Sequence, residues 1–530
     1  MSKRLLLGDE VIAQAAIDAG LSGIYAYPGT PSTEIMEYVQ TSAEAKEKGI
    51  RCRWSANEKT AMEAALGMSY CGKRAMVCMK HVGLNVAADA FINAAVTGVN
   101  GGLVVVAADD PSMHSSQNEQ DSRFYGHFAM IPTLEPSSQQ EAYDMMFYAF
   151  DLSEKTGIPA LVRITTRMAH SRTDVALREK KAQKALKLPD DPHQFVLLPA
   201  FARRRYKHLL EQQRTLAQEA VTSGYNTFTD GDDHSLGIVA CGIACNYLTE
   251  HFAGTACPYP VVKLSQYPVP QSLIGELAGR CNRILVLEDG YPLVEERLKG
   301  LTAHPCLTVC GRLDGALPRD GELTPDIVAR ALGLPPANIR PVPEVVANRP
   351  PTFCKGCGHT DMFYALSDAL QGHTPGRVFS DIGCYTLGAL PPHLSINSCV
   401  DMGASITMAK GAADAGLSPV VAVIGDSTFA HSGMTGLLDV ILENAPVLII
   451  ISDNLTTGMT GGQPSSACGV IENICLGLGL PRERLKTLTP LKKYHAENVQ
   501  ALKEAMQYKG TSVAVFRREC VRTAARRAKK

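Results

Sequence analysis

The sequence predicts an α/β protein with three parallel-sheet domains, and three observations carry that expectation. Short runs of β-branched and apolar residues alternate with segments of helical spacing along most of the chain. Nearly every run ends on Gly, Pro, Asp or Asn, residues that turn a chain out of a strand. With 530 residues the chain is also too long for one core, so several domains are expected.

Strands are expected first within GIYAYPGTP, KRAMVCMKHVG, GGLVVVAADDP and IPALVRITT, which place a first domain at 1–175. The composition then changes. SRTDVALREKKAQKALKLP and FARRRYKHLLEQQRTLAQEA are charged, and the second has helical spacing, so 176–235 reads as a helical connector with a solvated basic face. LGIVACG, YPVVKLS and RILVLEDG are strands of a second α/β domain at 236–340. LGLPPANIRPVPEVVANRPP holds six prolines and marks an interdomain linker. RVFSDIG, PVVAVIGDS, PVLIIISDN and TSVAVFR belong to a third domain at 341–520, and VRTAARRAKK (521–530) is a basic tail expected to fray.

A net charge of −1 gives no bulk attraction to nucleic acid or an acidic membrane. The start, MSKRLLLGDEVIAQ, is too short in apolar residues for a secretory signal, and no run approaches a membrane span, so a cytoplasmic protein is expected. Sixteen cysteines without a paired framework fit a reducing compartment, most of them as core thiols.

In an open α/β sheet, ligands bind outside the carboxyl ends of the strands, so the loops SDIGC, IGDS and ISDN are expected to share one crevice. Asp426 ends one strand and Asn454 another twenty-eight residues later, the spacing of one βαβ unit. Asp426, Asn454 and the carbonyl of Thr456 are hard oxygen donors suited to Mg²⁺, and Gly425 permits close backbone approach to a phosphate. A turn with a helix N-cap is the purely structural alternative for Asp426 and Ser427.

These residues carry a resemblance. GDS…N is similar to the GDG-to-N diphosphate–magnesium signature of thiamine-diphosphate enzymes, with Ser427 in place of the last glycine. Gly383 and Cys384 of SDIGC and Thr460 of TTGMTGGQ join Gly425 and Ser427 as cofactor-binding candidates. FCKGCGH contributes Cys354 and Cys357, and Cys384 follows 27 residues later. A lone CxxC can be a zinc half-site, a redox pair or two core thiols. Four thiolates at one point, with Cys520 as the fourth and Cys399 as its alternative, suit a [4Fe–4S] cluster better than zinc. The layout is similar to the proximal cluster of 2-oxoacid:ferredoxin oxidoreductases.

AYPGTPSTEI, WSANEKTAMEAALG, MKHVGLNVAADA and ADDPSMHSSQNEQDSR together resemble the large (alpha) subunit of indolepyruvate ferredoxin oxidoreductases. The resemblance covers about 5–520 and implies pyrimidine-type, transketolase C-terminal-type and diphosphate-type thiamine domains in that order. It implies Glu58 as the carboxylate on the thiamine pyrimidine and Thr30 at the substrate site. Glu58 is expected to open a helix whose buried stripe is Ala61, Ala64, Ala65 and Met68. A 2-oxo acid arrives as an anion, so His81, His114 and Arg123 are candidates for its carboxylate. The implied reaction oxidatively decarboxylates aryl-2-oxo acids such as indolepyruvate or phenylpyruvate. It proceeds through a thiamine enamine to an acyl-coenzyme A, with electrons leaving through the cluster. The implied partners are a small beta-type subunit, paired as a dimer of heterodimers, and ferredoxin or another low-potential acceptor.

Family members usually continue into a ferredoxin-like domain. Here ten residues follow Cys520 and no CxxCxxC run occurs, so the electron exit is left open, with a partner subunit or a soluble acceptor docking near the cluster as the two expectations. The rival readings are a non-oxidative thiamine decarboxylase and a non-catalytic scaffold subunit.

Overall fold

Residues 103–108 of the strand Leu103–Asp109 are fully buried, as a central strand of a parallel sheet covered on both faces must be. Val104, Val106 and Ala108 join one core cluster with the helices Gly8–Asp18 and Gln139–Thr156. Leu103, Val105 and Ala107 join the opposite cluster with Glu58–Tyr70 and His81–Thr97. The two-residue period of the strand thus feeds two helical layers. The structure, a computed structural model, describes residues 3–191, 193–301, 307–335, 343–347 and 351–528. Parts of the proline-rich linker (336–342 and 348–350) and the last two lysines of the basic tail lie outside them.

The chain forms two compact units, Met1–Pro341 and Val342–Lys530. In the first unit the large sheet runs, in spatial order, Gln266–Tyr267, Thr133–Leu134, Ala160–Thr165, Leu103–Asp109, Ala75–Lys80, Gly23–Ala26 and Arg51–Trp54. Only Gln266–Tyr267 is antiparallel to its neighbour. A second sheet is built from Thr308–Cys310, Arg283–Leu287, Gly237–Cys241, Val261–Leu264 and Thr227–Thr229.

Two expectations change here. The connector helix Pro199–Thr222 is not only a solvated face, because Leu209 and Leu216 are buried in the core of the first sheet. The second sheet is also not a separate compact unit. Its residues are locked to the first sheet by a buried ion network. Arg163 pairs with Asp109 (Nε to Oδ2, 2.7 Å) and with Glu135, and its Nη2 donates to the carbonyl of Asp289 at 2.7 Å. Arg123 pairs with Asp121 and with Glu288 at 3.1 Å. Gln266–Tyr267 extends from the second sheet into the first, where Tyr267 donates its hydroxyl to Glu135 at 2.7 Å.

The second unit holds a six-stranded sheet, all parallel, in the order Ser398–Cys399, Val378–Ser380, Val420–Gly425, Val447–Asp453, Ser512–Arg517 and Leu485–Leu488. The winding reverses between Val378–Ser380 and Val420–Gly425, which opens a crevice beyond their carboxyl ends. The expected frayed tail is instead the helix Val521–Arg527, held where the Arg526 guanidinium donates to the Gly461 carbonyl.

Breaking a buried ion pair on one side leaves the other charge stranded. Arg163→Leu is expected to destabilise the first unit by about 3–5 kcal/mol, measured as a lowered urea midpoint of the full chain.

Candidate active site

Parallel register puts the polar strand ends of the second unit side by side. Gly425 pairs with Ser452, Ser380 with Val423, and Asp453 with Arg517. Asp381, Asp426 and Asp453 therefore leave neighbouring strands at one edge. Each carboxylate meets a different environment. Asp381 is fully buried and accepts from Ser405 Oγ at 2.7 Å, from the Gly403 amide at 3.2 Å and from the Tyr385 hydroxyl. Asp453 accepts from Arg517 Nε at 2.6 Å and from the Leu455 amide at 3.2 Å. Asp426 is 2% exposed, and its Oδ2 has no hydrogen-bond partner. Burial, reinforced by the charge of Asp453, pushes its carboxyl up to about 7.

The remaining candidates surround it. Asn454 accepts the Thr456 amide on Oδ1 at 3.1 Å. Thr456–Thr457 forms a short antiparallel turn with Gln463–Pro464, closed by Thr456 Oγ1 on the Gln463 carbonyl (2.9 Å) and Thr460 Oγ1 on Gln463 Oε1 (2.6 Å). Ser427 Oγ lies 3.0 Å from Thr457 Oγ1. A Cβ on Gly425 would stand 2.6 Å from the Tyr385 ring, so a side chain there would displace the ring that covers the strand end. A buried carboxylate oxygen without a donor, flanked by Asn454 and Thr456, has the donor chemistry to hold Mg²⁺.

Next to this edge lies a cavity of about 190 Å³. Cys354, Cys357, Cys384 and Cys520 line it together with Asn454 and Arg518. The cysteines come from the turn before the helix Gly358–Ala369, from beyond Val378–Ser380, and from beyond Ser512–Arg517. The Cys520 amide donates to the Asn454 carbonyl at 3.1 Å, joining the thiol cavity to the Asp426 edge. Burial first, and then the neighbouring thiols, push Cys384 up to about 12. Such a quartet becomes thiolate only with a cation among the sulfurs. Among the described residues no three of these sulfurs lie within 4.8 Å of one another. Cys399 does not line this cavity; it is exposed, and its thiol donates to the Asp381 carbonyl at 3.7 Å. His359, which the sequence reading passed over, is buried with Nδ1 3.1 Å from Cys357 Sγ. Its position two residues beyond the CxxC pair was the available signal.

In the first unit Glu58 opens its helix behind the N-cap Asn57, whose Oδ1 accepts the Thr60 amide at 2.9 Å. Glu58 is buried, and a Cβ on Gly83 would fall 2.7 Å from its carboxylate oxygen, so that glycine makes its room. The buried stripe is Ala61, Met62, Ala65 and Ser69, rotated from the expected one, with Ala64 exposed. His81 is buried with Nε2 3.1 Å from Asn118 Oδ1. The Thr30 carbonyl accepts from Ser115 Oγ at 3.3 Å, and Lys80 Nζ donates to the Ser115 carbonyl at 3.1 Å. His114 is exposed and faces Glu322 at 3.5 Å.

Arg123 does not meet the expectation of a substrate-binding cation. It is fully buried, and its guanidinium is taken up by Asp121, Glu288, the Tyr267 hydroxyl and the Tyr291 carbonyl. A cation that feels the charge of Glu58 is instead Lys80, which the sequence reading missed. It packs on Gly29 of the Thr30 loop, and its ammonium feels the charges of Asp110 and Glu58. Burial lowers its pKa.

Two family models match the chain. The pyruvate flavodoxin/ferredoxin oxidoreductase, thiamine-diphosphate-binding model covers residues 14–227, and the thiamine pyrophosphate enzyme C-terminal TPP-binding model covers 381–516. Indolepyruvate oxidoreductase subunit IorA of Pyrococcus abyssi is 39% identical over 97% of this chain and 85% of its own length. The same subunit of Methanothermobacter thermautotrophicus is 38% identical over 98% of this chain and 87% of its own. The chain belongs to the indolepyruvate oxidoreductase IorA family. A solved 2-oxoglutarate:ferredoxin oxidoreductase from Magnetococcus marinus shares the fold, with a TM-score of 0.50, 16% identity, and coverage of 62% of this chain and 65% of that one. The IorA family thus has two thiamine-diphosphate-binding domains in this chain. The first contains Thr30, Glu58 and His81, and the second Cys384, Asp426 and Asn454, while Cys354, Cys357 and Cys520 lie outside both models. No helix among the described residues is long and apolar enough to cross a membrane.

The raised carboxyl of Asp426 has a signed consequence. A folded pKa of about 7 against ~3.9 unfolded means that the group's contribution to stability is fully present below pH ~4 and is lost as pH rises through 7. Asp426→Asn removes that loss. Cofactor-free Asp426→Asn is expected to be more stable than wild type at pH 8, on the order of 2–4 kcal/mol, and equal to it below pH ~4 by urea unfolding.

Proposed function

We propose that the chain is the large subunit of an oxidoreductase that uses thiamine diphosphate, Mg²⁺ and a [4Fe–4S] cluster. It decarboxylates aryl-2-oxo acids of the indolepyruvate or phenylpyruvate type and delivers the acyl group to coenzyme A. The observation that carries this reading is the meeting of four cysteines from three loops in one cavity that shares Asn454 with the Asp426 edge. A thiamine enzyme that only decarboxylates has no use for four convergent thiols beside its diphosphate anchor, whereas an oxidative one needs an electron outlet there. The substrate class is supported by the relatives' name, and coenzyme A by the resemblance of the motifs.

Thiamine diphosphate, when bound, supplies a nucleophilic carbon for the keto group and accepts the electrons released as CO₂ departs. Asp426, Asn454 and the Thr456 carbonyl would hold the metal, and Gly425, Ser427, Gly383 and Thr460 would bind the diphosphate. Glu58 would hold a proton for the pyrimidine ring. Thr30 and His81 line the substrate, and Lys80 takes the role first given to Arg123, pairing with the substrate carboxylate. Cys354, Cys357, Cys384 and Cys520 hold the cluster, whose chemistry is one-electron transfer towards ferredoxin or a partner subunit. The small beta-type subunit completes the enzyme, two such pairs making the assembly.

Two experiments test this reading. Anaerobically purified protein is expected to carry about four irons per chain, the content of one [4Fe–4S] cluster, lost in Cys520→Ser and retained in Cys399→Ser. Iron-free wild type would sink the cluster. In the assembled complex Glu58→Gln is expected to lower coenzyme-A-dependent turnover by 10²-fold or more. Lys80→Met is expected to act mainly on KM for the 2-oxo acid, and unchanged KM would return the search for the carboxylate partner to His81.

A further inference from the structure

Away from the residues considered so far, one trio of side chains in the first unit is assembled without a visible purpose. Asp9 lies in the first turn of Gly8–Asp18, Glu34 in the first turn of Thr33–Thr41, and His170 ends the short helix Thr166–His170. One ligand atom from each lies within 4.8 Å of the other two, and among the described residues no other set of three His, Cys, Asp or Glu side chains meets that spacing. Asp9 is 0% exposed, and neither of its carboxylate oxygens has a hydrogen-bond partner. Glu34 Oε2 also lacks one, since His170 Nε2 stands 3.9 Å away. Two carboxylates facing each other, Asp9 buried and Glu34 partly exposed, with an imidazole beside them, make a cluster that a shared proton or a cation completes.

The backbone is shaped for this approach. A Cβ on Gly8 would stand 1.9 Å from the Met168 carbonyl oxygen, so glycine lets the first helix meet the turn that carries His170. The Gly8 amide also donates to the Ser171 carbonyl at 3.0 Å. Glu34 and His170 both follow strands of the large sheet, Gly23–Ala26 and Ala160–Thr165, and each side chain is about one third exposed, leaving a path from solvent.

We propose that Asp9, Glu34 and His170 form a site for a first-row divalent cation, of the Mn²⁺-to-Zn²⁺ class, which pins the loop carrying Thr30 to the sheet. One imidazole nitrogen and two carboxylate oxygens are the donor set of such ions, with the remaining positions left to water. The site is separate from the Asp426 edge and from the cysteine cavity.

The test uses the full chain, stripped with chelator and free of thiamine diphosphate, titrated with Mn²⁺ and counted by electron paramagnetic resonance. Thiolates are poor ligands for this ion, and every protein compared shares the Asp426 and cysteine loops, so the outcome does not depend on the thiamine reading. Wild type is expected to bind one equivalent more than Glu34→Gln or His170→Asn, and Mn²⁺ is expected to raise the unfolding temperature of wild type alone. Glu34→Gln keeps the size of the side chain and preserves the fold; His170→Asn is the independent second variant. Equal Mn²⁺ uptake by wild type and both variants overturns the proposal and identifies Asp9 as a protonated carboxyl shared with Glu34.

Discussion

Asp426 and Asp453 each stand one residue beyond the paired Gly425 and Ser452 on adjacent parallel strands, and the guanidinium of Arg517, shared with Glu472, reaches Asp453 and not Asp426. Parallel strands cannot stagger their carboxyl ends freely, so the polar residues that terminate them are forced together at one edge. The protein resolves that crowding unevenly. Asp381 is satisfied by two hydroxyls and an amide, and Asp453 by an arginine. Asp426 keeps one oxygen without a donor. A buried group left in that condition lowers stability, and folds retain such groups where a ligand completes them. The neighbouring features take their shape from this edge: the glycine under Tyr385, the turn at Thr456–Thr457, and the Asn454 carbonyl that holds the Cys520 amide.

The thiol cavity obeys the same logic with a different element. Cys384 and Cys520 follow strand ends, while Cys354 and Cys357 arrive from a turn outside the sheet. Neutral thiols tolerate each other at this distance, but four thiolates do not without positive charge among them. Arg518 lines the cavity, and Asp361 shares its guanidinium at 3.3 Å. The cavity is therefore short of cations in its sulfur-ionised form, as the Asp426 edge is. Asn454 borders both, and the charge of Asp426 is itself felt by Cys384.

Much of the sheet architecture was legible in the sequence because parallel strands read as β-branched runs punctuated by Gly, Pro and Asp. Every run singled out in advance contains a strand. Arg51–Trp54 was not legible: it is a half-exposed edge strand, RCRW, with two arginines in four residues and no apolar run. Lys3–Leu7 and Arg172–Ala176 pair across most of the first domain, and nothing local in either segment names the other. The site divides in the same way. That Asp426 and Asn454 lie at neighbouring strand ends, and that four cysteines line one cavity, was legible because spacing along strands and turns is local. For Cys399 and Arg123 spacing gives no direction: Cys399 points its thiol at a carbonyl, and Arg123 meets Glu288 across 165 residues of sequence. The rotated stripe of the Glu58 helix has a similar cause, since an alanine-rich face is nearly as apolar all round and only packing selects the buried side.

A cation that binds a substrate anion must be one that the fold has not already spent on itself. Arg123 and Arg163 carry guanidinium groups saturated by Asp109, Asp121, Glu135 and Glu288, and that saturation binds the second sheet to the first. Moving either arginine to a ligand would strand at least two buried carboxylates. Lys80 is bound differently. Its one hydrogen bond among the described residues is to a backbone carbonyl, and the acid nearest to it, Asp110, is already held by Ser115, Ser116 and Thr166. A half-buried ammonium on a flexible stem, beside a glutamate and over a glycine loop, can turn towards an incoming carboxylate without unmaking the core. The division of labour among the basic residues thus follows from burial: planar, rigid arginines weld the domains, and the lysine remains available for chemistry.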